Sequence, residues 1–107
     1  AQSAPRAVDD DDLVVVSLPD APWSRRVSGV LGNDLANQSP NKAHAVLTDV
    51  DGGYLVSVRA PLNNRTGADD VCRQFETGGG RAAAAGINHL SREELGRFID
   101  ALRQQFG

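Results

Sequence analysis

The sequence predicts an α+β domain: a small mixed β-sheet of about four to five strands packed against helices, with a closing C-terminal helix. Three observations carry this. Leu13-Val-Val-Val-Ser-Leu18 is a β-branched run ended by Pro19, Asp20 and Pro22. Ala43 to Val50 and Tyr54 to Pro61 are joined by Asp51-Gly52-Gly53, the composition of a tight hairpin. Ser91, with Glu94 three residues on, forms a capping box ahead of an apolar stripe of Leu95, Phe98, Ile99, Leu102 and Phe106.

Composition sets the class. The 107 residues, 40% hydrophobic and 23% charged, make one domain of ordinary size that can bury a core without disulfides or a metal. Cys72 is the lone cysteine, so neither an internal disulfide nor, with two histidines, a four-ligand zinc site can be built. No apolar run approaches the ~20 residues of a membrane span, and Ala1 to Val8 lacks the apolar stretch of a signal peptide. The expected location is the cytoplasm. Methionine is absent, including at position 1, as in a trimmed start or a piece of a longer chain.

In chain order, Ala1 to Asp12 reads as a flexible acidic leader or interdomain linker, since Gln2, Ser3, Pro5 and Asp9 to Asp12 offer little to bury. Residues 13–107 are the folded domain. After the first strand, Ser24 can cap a helix carrying Val27, Val30, Leu31 and Leu35 on one face, with Trp23 beneath and Ser39-Pro40-Asn41 ending it. The hairpin follows. In its second strand Tyr54, Val56 and Val58 share one face while Leu55, Ser57 and Arg59 share the other. Pro61 to Gly67 is a loop, and Ala68 to Phe75 suits a short helix with Val71, Cys72 and Phe75 inward. Ala82 to Ala85, bracketed by Gly80 and Gly86 and running into Ile87, has helical propensity in a span short enough for a strand, and propensity alone does not decide.

Charge points away from a broad polyanion-binding surface. Asp9 to Asp12 with Arg6 give the leader −3, and from Leu13 onward ten basic residues balance ten acidic ones. A local anion site remains open, because ten of the eleven bases are arginine, whose planar fork suits phosphate. Gly78-Gly79-Gly80-Arg81 can set successive backbone N–H groups and one guanidinium around an anion, with Ala82 to Ala85 leaving room beside it. The same glycines also fit a plain structural connection, or a close approach of two backbones in an oligomer. Arg59, with Ser57 on the same face, is a second anion-binding candidate, or a solvated edge arginine. Arg25 and Arg26 read best as solvated, His44 and His89 as structural or surface residues outside any metal-ligand pattern, and Cys72 as a buried thiol. Four consecutive aspartates define no cation geometry. No catalytic constellation is visible: the segment lacks the Lys-Ser/Thr ending of a phosphate loop, the strand-glycine-helix unit of a dinucleotide fold and any nucleophile elbow.

Gly78-Gly79-Gly80-Arg81-Ala82-Ala83-Ala84-Ala85-Gly86 resembles the Gly-Gly-Gly-His-x-x-Ala-Ala-Gly signature of the accessory domain that lies C-terminal to the catalytic domain in the DHH phosphoesterase superfamily. Val56-Ser57-Val58-Arg59-Ala60 resembles the strand before that motif, Ala68 to Phe75 its short helix, and the helix from Ser91 its closing helix, so the resemblance covers Val27 to Phe106. It implies a substrate-binding module for a nucleotide, short oligonucleotide or single-stranded nucleic acid, some superfamily members acting on inorganic phosphate chains instead. Gly78, Gly79, Gly80 and Arg81 would hold a phosphate or nucleotide end, Ser57 and Arg59 would form a second anchor, and Ala84, Ala85 and Gly86 would wall the cleft. Metal-dependent hydrolysis, with manganese or magnesium, would belong to a catalytic domain of the same parent chain, and no cofactor is implied for these residues. Two departures stand out. Arginine replaces the family histidine at position 81, and the Asp-His-His element of the catalytic domain is missing, so the fragment is expected not to hydrolyse anything alone.

Overall fold

The computed structural model describes residues 6–9, 13–18, 37, 40–63 and 65–106. Six strands form one mixed sheet: β1 (Arg6–Asp9), β2 (Leu13–Leu18), β3 (Ala43–Val50), β4 (Gly53–Arg59), β5 (Gly78–Gly80) and β6 (Ala84–Ser91). Their spatial order is β1-β2-β3-β4-β6-β5. Only β2 and β3 pair in parallel; every other neighbouring pair is antiparallel. The α+β class expected from the sequence is the class observed, with one strand beyond the expected number. That strand, β1, lies within the stretch read as leader, and pairs with β2 through the backbone, which asks nothing of side-chain hydrophobicity. Of the helix expected from Ser24 only Asn37 is among the described residues, and it is helical; Trp23, Arg25 and Arg26 lie outside them.

Period-two burial positions the core. Leu13 and Val15 of β2, Ala43, Ala45 and Leu47 of β3, Val56 and Val58 of β4, and Ile87 and Leu90 of β6 point to one face. Against that face pack α1 (Ala68–Cys72) and α2 (Leu95–Phe106), through Ala68, Val71, Cys72, Phe98, Ala101 and Leu102. Phe75 meets Phe98 edge-to-face at 5.8 Å. On the opposite face Val14, Val16, Leu18 and Val46 form a second buried cluster confined to β2 and β3. The sheet is therefore buried on both sides at β2 and β3 and, among the described residues, on one side only at β4, β6 and β5.

The hairpin folds as its composition suggests: Val50 faces Gly53 across Asp51-Gly52, and Gly52 takes φ 77, a value that glycine adopts without Cβ strain. The helix expected over Ala68 to Phe75 ends at Cys72, because Gln74 and Phe75 donate three residues back, to the carbonyls of Val71 and Cys72, and tighten the chain out of α geometry. Phe75 still reaches the core. At the closing helix Ser91 Oγ donates to Glu94 Oε1 at 3.0 Å, and Arg92–Glu94 makes a 3-10 turn before α2 begins.

Candidate functional site

The alanine-rich stretch that propensity left open is a strand, and the glycines before it are the neighbouring edge strand. Gly78, Gly79 and Gly80 of β5 face Ile87, Gly86 and Ala85 of β6. The bonds Asn88 N–H to Thr77 O and Arg81 N–H to Ala84 O fix the ladder's phase, so Gly79 sits in a bonded pair with Gly86 while Gly80 turns its N–H to the open edge. Gly78 N–H is spent on Phe75 O at 3.0 Å. The segment thus offers a strand edge, in place of a run of converging N–H groups.

Register brings the expected site residues together in rows on the face opposite the helices, buried at β3 and open at β6. One row runs His44, Arg59, Ala84 across β3, β4 and β6, and ends at Arg81 in the turn that closes onto Ala84. The next runs Val46, Ser57, Gly86, Gly79. Directly opposed residues of antiparallel neighbours share a face, so Ser57, Arg59, Gly79, Arg81, Ala84 and Gly86 lie together. Gly78, Gly80 and Ala85 belong to the other side, with Ala85 against the core. Arg59 and Arg81 stand two strands apart, about 10 Å between their backbones at ordinary strand spacing.

Arg81 is exposed, and neither it nor Arg59 has an ion-pair partner among the described residues. Arg59 is half-buried, and its Nε is shielded from solvent with no hydrogen-bond partner among the described residues. The turn carrying Arg81 is held on three sides: Ala60 N–H donates to Ala83 O at 2.9 Å, Ala68 N–H to Ala82 O at 3.0 Å, and Arg81 N–H to Ala84 O at 2.8 Å.

The glycines divide by what a Cβ would meet. At Gly78 it would overlap Cys72 O at 1.7 Å, at Gly80 it would lie 2.5 Å from Ala85 Cα, and at Gly86 2.7 Å from Val56 O. At Gly79 it would meet nothing within 4 Å. Gly79 also lacks the positive φ of Gly80, so the fold does not require a glycine there.

His44, expected as a structural or surface residue, is a buried neighbour of Arg59. It is 1% exposed and directly opposes Arg59 across the hairpin, a placement set by strand register that no local pattern announces. His89 serves the fold, with its Nε2 3.0 Å from Asp51 O, tying β6 to the hairpin turn, while Thr77 Oγ1 bonds both the N–H and the carbonyl of His89. Cys72 is buried, and burial, with Asp69 nearby, pushes its thiol up to about 12. Among the described residues no three His, Cys, Asp or Glu side chains gather to hold a metal ion, and no helix is long and apolar enough to cross a membrane.

The sequence matches the family described as "DHHA1 domain" over residues 10–107. No curated protein matches. Among solved structures the fold is similar to the C-Ala domain from Aquifex aeolicus alanyl-tRNA synthetase, with TM-score 0.69 and 13% identity, covering 95% of this chain and 97% of that one. It is similar to an exopolyphosphatase-related protein from Bacteroides fragilis, with TM-score 0.67 and 18% identity over 92% of this chain and 31% of that one. It is also similar to PggH, a pGpG-specific phosphodiesterase from Vibrio cholerae, with TM-score 0.58 and 15% identity over 92% of this chain and 34% of that one. The chain spans about a third of the latter two proteins. At these identities the likeness is one of fold.

Proposed function

The chain belongs to the DHHA1 domain family, the DHH-associated accessory domain, and on that premise we propose that it is the substrate-holding module of a phosphoesterase. It grips a phosphate of a nucleotide or single-stranded nucleic acid over the uncovered face of β4, β6 and β5. Gly79 carries this reading. Three glycines of the motif are explained by the backbone or Cα each would strike, but Gly79 leaves an opening on the outer face that packing does not demand, at the β5 end of the Ser57 row and beside the row that joins Arg59 to Arg81. A close approach by a ligand gives that opening a use.

Arg81 supplies a fork held by a turn whose backbone is already tied down, so little order is lost on binding. Arg59 contributes a half-buried guanidinium, and Ser57 a hydroxyl one row along. The Gly80 N–H on the open edge adds a backbone donor next to Arg81. Hydrolysis is assigned to a metal-bearing catalytic domain of the same parent chain, with this module presenting the substrate. Two proteins of similar fold, an alanyl-tRNA synthetase and a pGpG-specific phosphodiesterase, are in keeping with a nucleotide ligand.

Calorimetric titration with a short 5′-phosphorylated single strand tests the assignment. Arg81→Ala removes hydrogen bonds to a charged group, worth about 1.5–3 kcal/mol, so affinity falls roughly ten- to hundred-fold. Binding also weakens with added salt as phosphate contacts are screened. An Arg81→Ala variant that binds as tightly as the parent sinks the assignment.

A further inference from the structure

One irregularity in the sheet lies two rows along from the arginines. Tyr54 faces Leu90 and Val56 faces Ile87, so Leu55 alone stands opposite both Asn88 and His89. This β-bulge places two β6 side chains against one of β4, in the third row of the uncovered face, beyond Ser57, Gly86 and Gly79. Bulges of this kind re-aim side chains beside functional sites.

The polar groups of that row are accounted for, with one exception. Thr77 Oγ1 is engaged twice by the His89 backbone, the His89 ring is occupied with Asp51 O, and Thr48 is buried. Asn88 is exposed, and its carboxamide bonds nothing among the described residues, although its backbone is fixed by the 3.3 Å bond to Thr77 O. Leu55, half-buried, supplies the apolar group beside it. Ala84 and Asn88 are four residues apart on one extended strand, about 13 Å at 3.3 Å per residue, comparable to the reach from a nucleotide's phosphate to the far edge of its base. Between them, Gly86 and Gly79 form a floor free of side chains on which a planar ring can lie.

We infer that Asn88, presented by the bulge opposite Leu55, is the specificity-determining residue that reads the base edge of a nucleotide whose phosphate is held by Arg59 and Arg81. This rests on the phosphate grip proposed above. A carboxamide offers a donor and an acceptor in one plane, the pairing that asparagine makes with the edge of a purine.

The test titrates the chain with the four nucleoside 5′-monophosphates and with ribose 5-phosphate, for the parent, Asn88→Ala and Asn88→Asp. The parent is expected to favour one base over the least favoured by about tenfold, with ribose 5-phosphate weaker than the preferred nucleotide. Asn88→Ala should level the four bases and leave ribose 5-phosphate unchanged; Asn88→Asp, which keeps acceptors and loses the donor, should change the order of preference. Ribose 5-phosphate binding with no discrimination among bases, or discrimination that survives Asn88→Ala, overturns the inference and leaves the phosphate grip standing. Failure of every probe, ribose 5-phosphate included, overturns both. Asn88 is exposed and its side chain unbonded, so both variants are expected to keep the parent's circular dichroism.

Discussion

Replacing Gly78 and Gly79, one at a time, by alanine separates what the fold needs from what a ligand needs. At Gly78 the new Cβ would lie 1.7 Å from Cys72 O, a backbone atom at the end of α1 that cannot rotate away. Relief requires β5 and α1 to move apart, and overpacking on this scale costs about 3 kcal/mol, the upper part of the usual range. At Gly79 nothing lies within 4 Å, and replacing a glycine where the backbone is unstrained gains roughly 0.4–1 kcal/mol by restricting the unfolded chain. Urea unfolding reads both. With a slope of about 1–3 kcal/mol per M for a small domain, Gly78→Ala should lower the midpoint by at least ~1 M, and Gly79→Ala should hold or raise it. Titration with the phosphorylated single strand is then the decisive half: Gly79→Ala, although stable, should bind at least tenfold more weakly. Equal destabilisation by both changes would refute the glycine geometry, and a stable Gly79→Ala with full affinity would refute the use assigned to the opening.

Two further outcomes concern stability and chemistry away from the ligand. Gly96, in the first turn of α2, is exposed with no atom within 4 Å of a built Cβ, so Gly96→Ala should stabilise by about 0.5–1 kcal/mol in the same urea assay. The Cys72 thiol, raised from 9.0 to about 12 by burial first and Asp69 second, should resist iodoacetamide at pH 8 in the folded chain and react once urea unfolds it. Below pH 9 folded and unfolded chains both keep the thiol proton; between pH 9 and about 12 only the folded chain does, so the unfolded state binds fewer protons and stability falls as pH rises. The fall contributed by this thiol is at most ~1.4 kcal/mol per pH unit, seen as a steeper decline for the parent than for Cys72→Ala.

Much of this architecture was legible because it is written locally. The β-branched run of β2, the Asp51-Gly52-Gly53 turn and the stripe of α2 are short-range signals, and each element appears where its residues place it. The alternation in β4 set Ser57 and Arg59 on one face before any pairing was known, and the register confirms that they share it. What the sequence withheld was pairing. Nothing near Gly78 to Gly80 says that these residues form an edge strand on β6, nor does anything near His44 reveal Arg59 opposite. Arg6–Asp9 looked unstructured because a strand edge can be formed by backbone alone, even beside an acidic run. The bulge at Leu55 was equally invisible, since it depends on two strands at once.

Two of the three backbone bonds around the arginine turn also govern the stretch of chain from Pro61 to Gly67. Ala60 and Ala68, which bracket it, donate to the adjacent carbonyls of Ala83 and Ala82, so its two ends are pinned side by side like the feet of an arch. An arch fixed at both feet can change its span overhead without transmitting strain to the ground, and doubling its length would cost only about 0.6 kcal/mol of closure entropy. Variation in that arch can therefore accumulate within reach of Arg81 while the sheet beneath stays as it is.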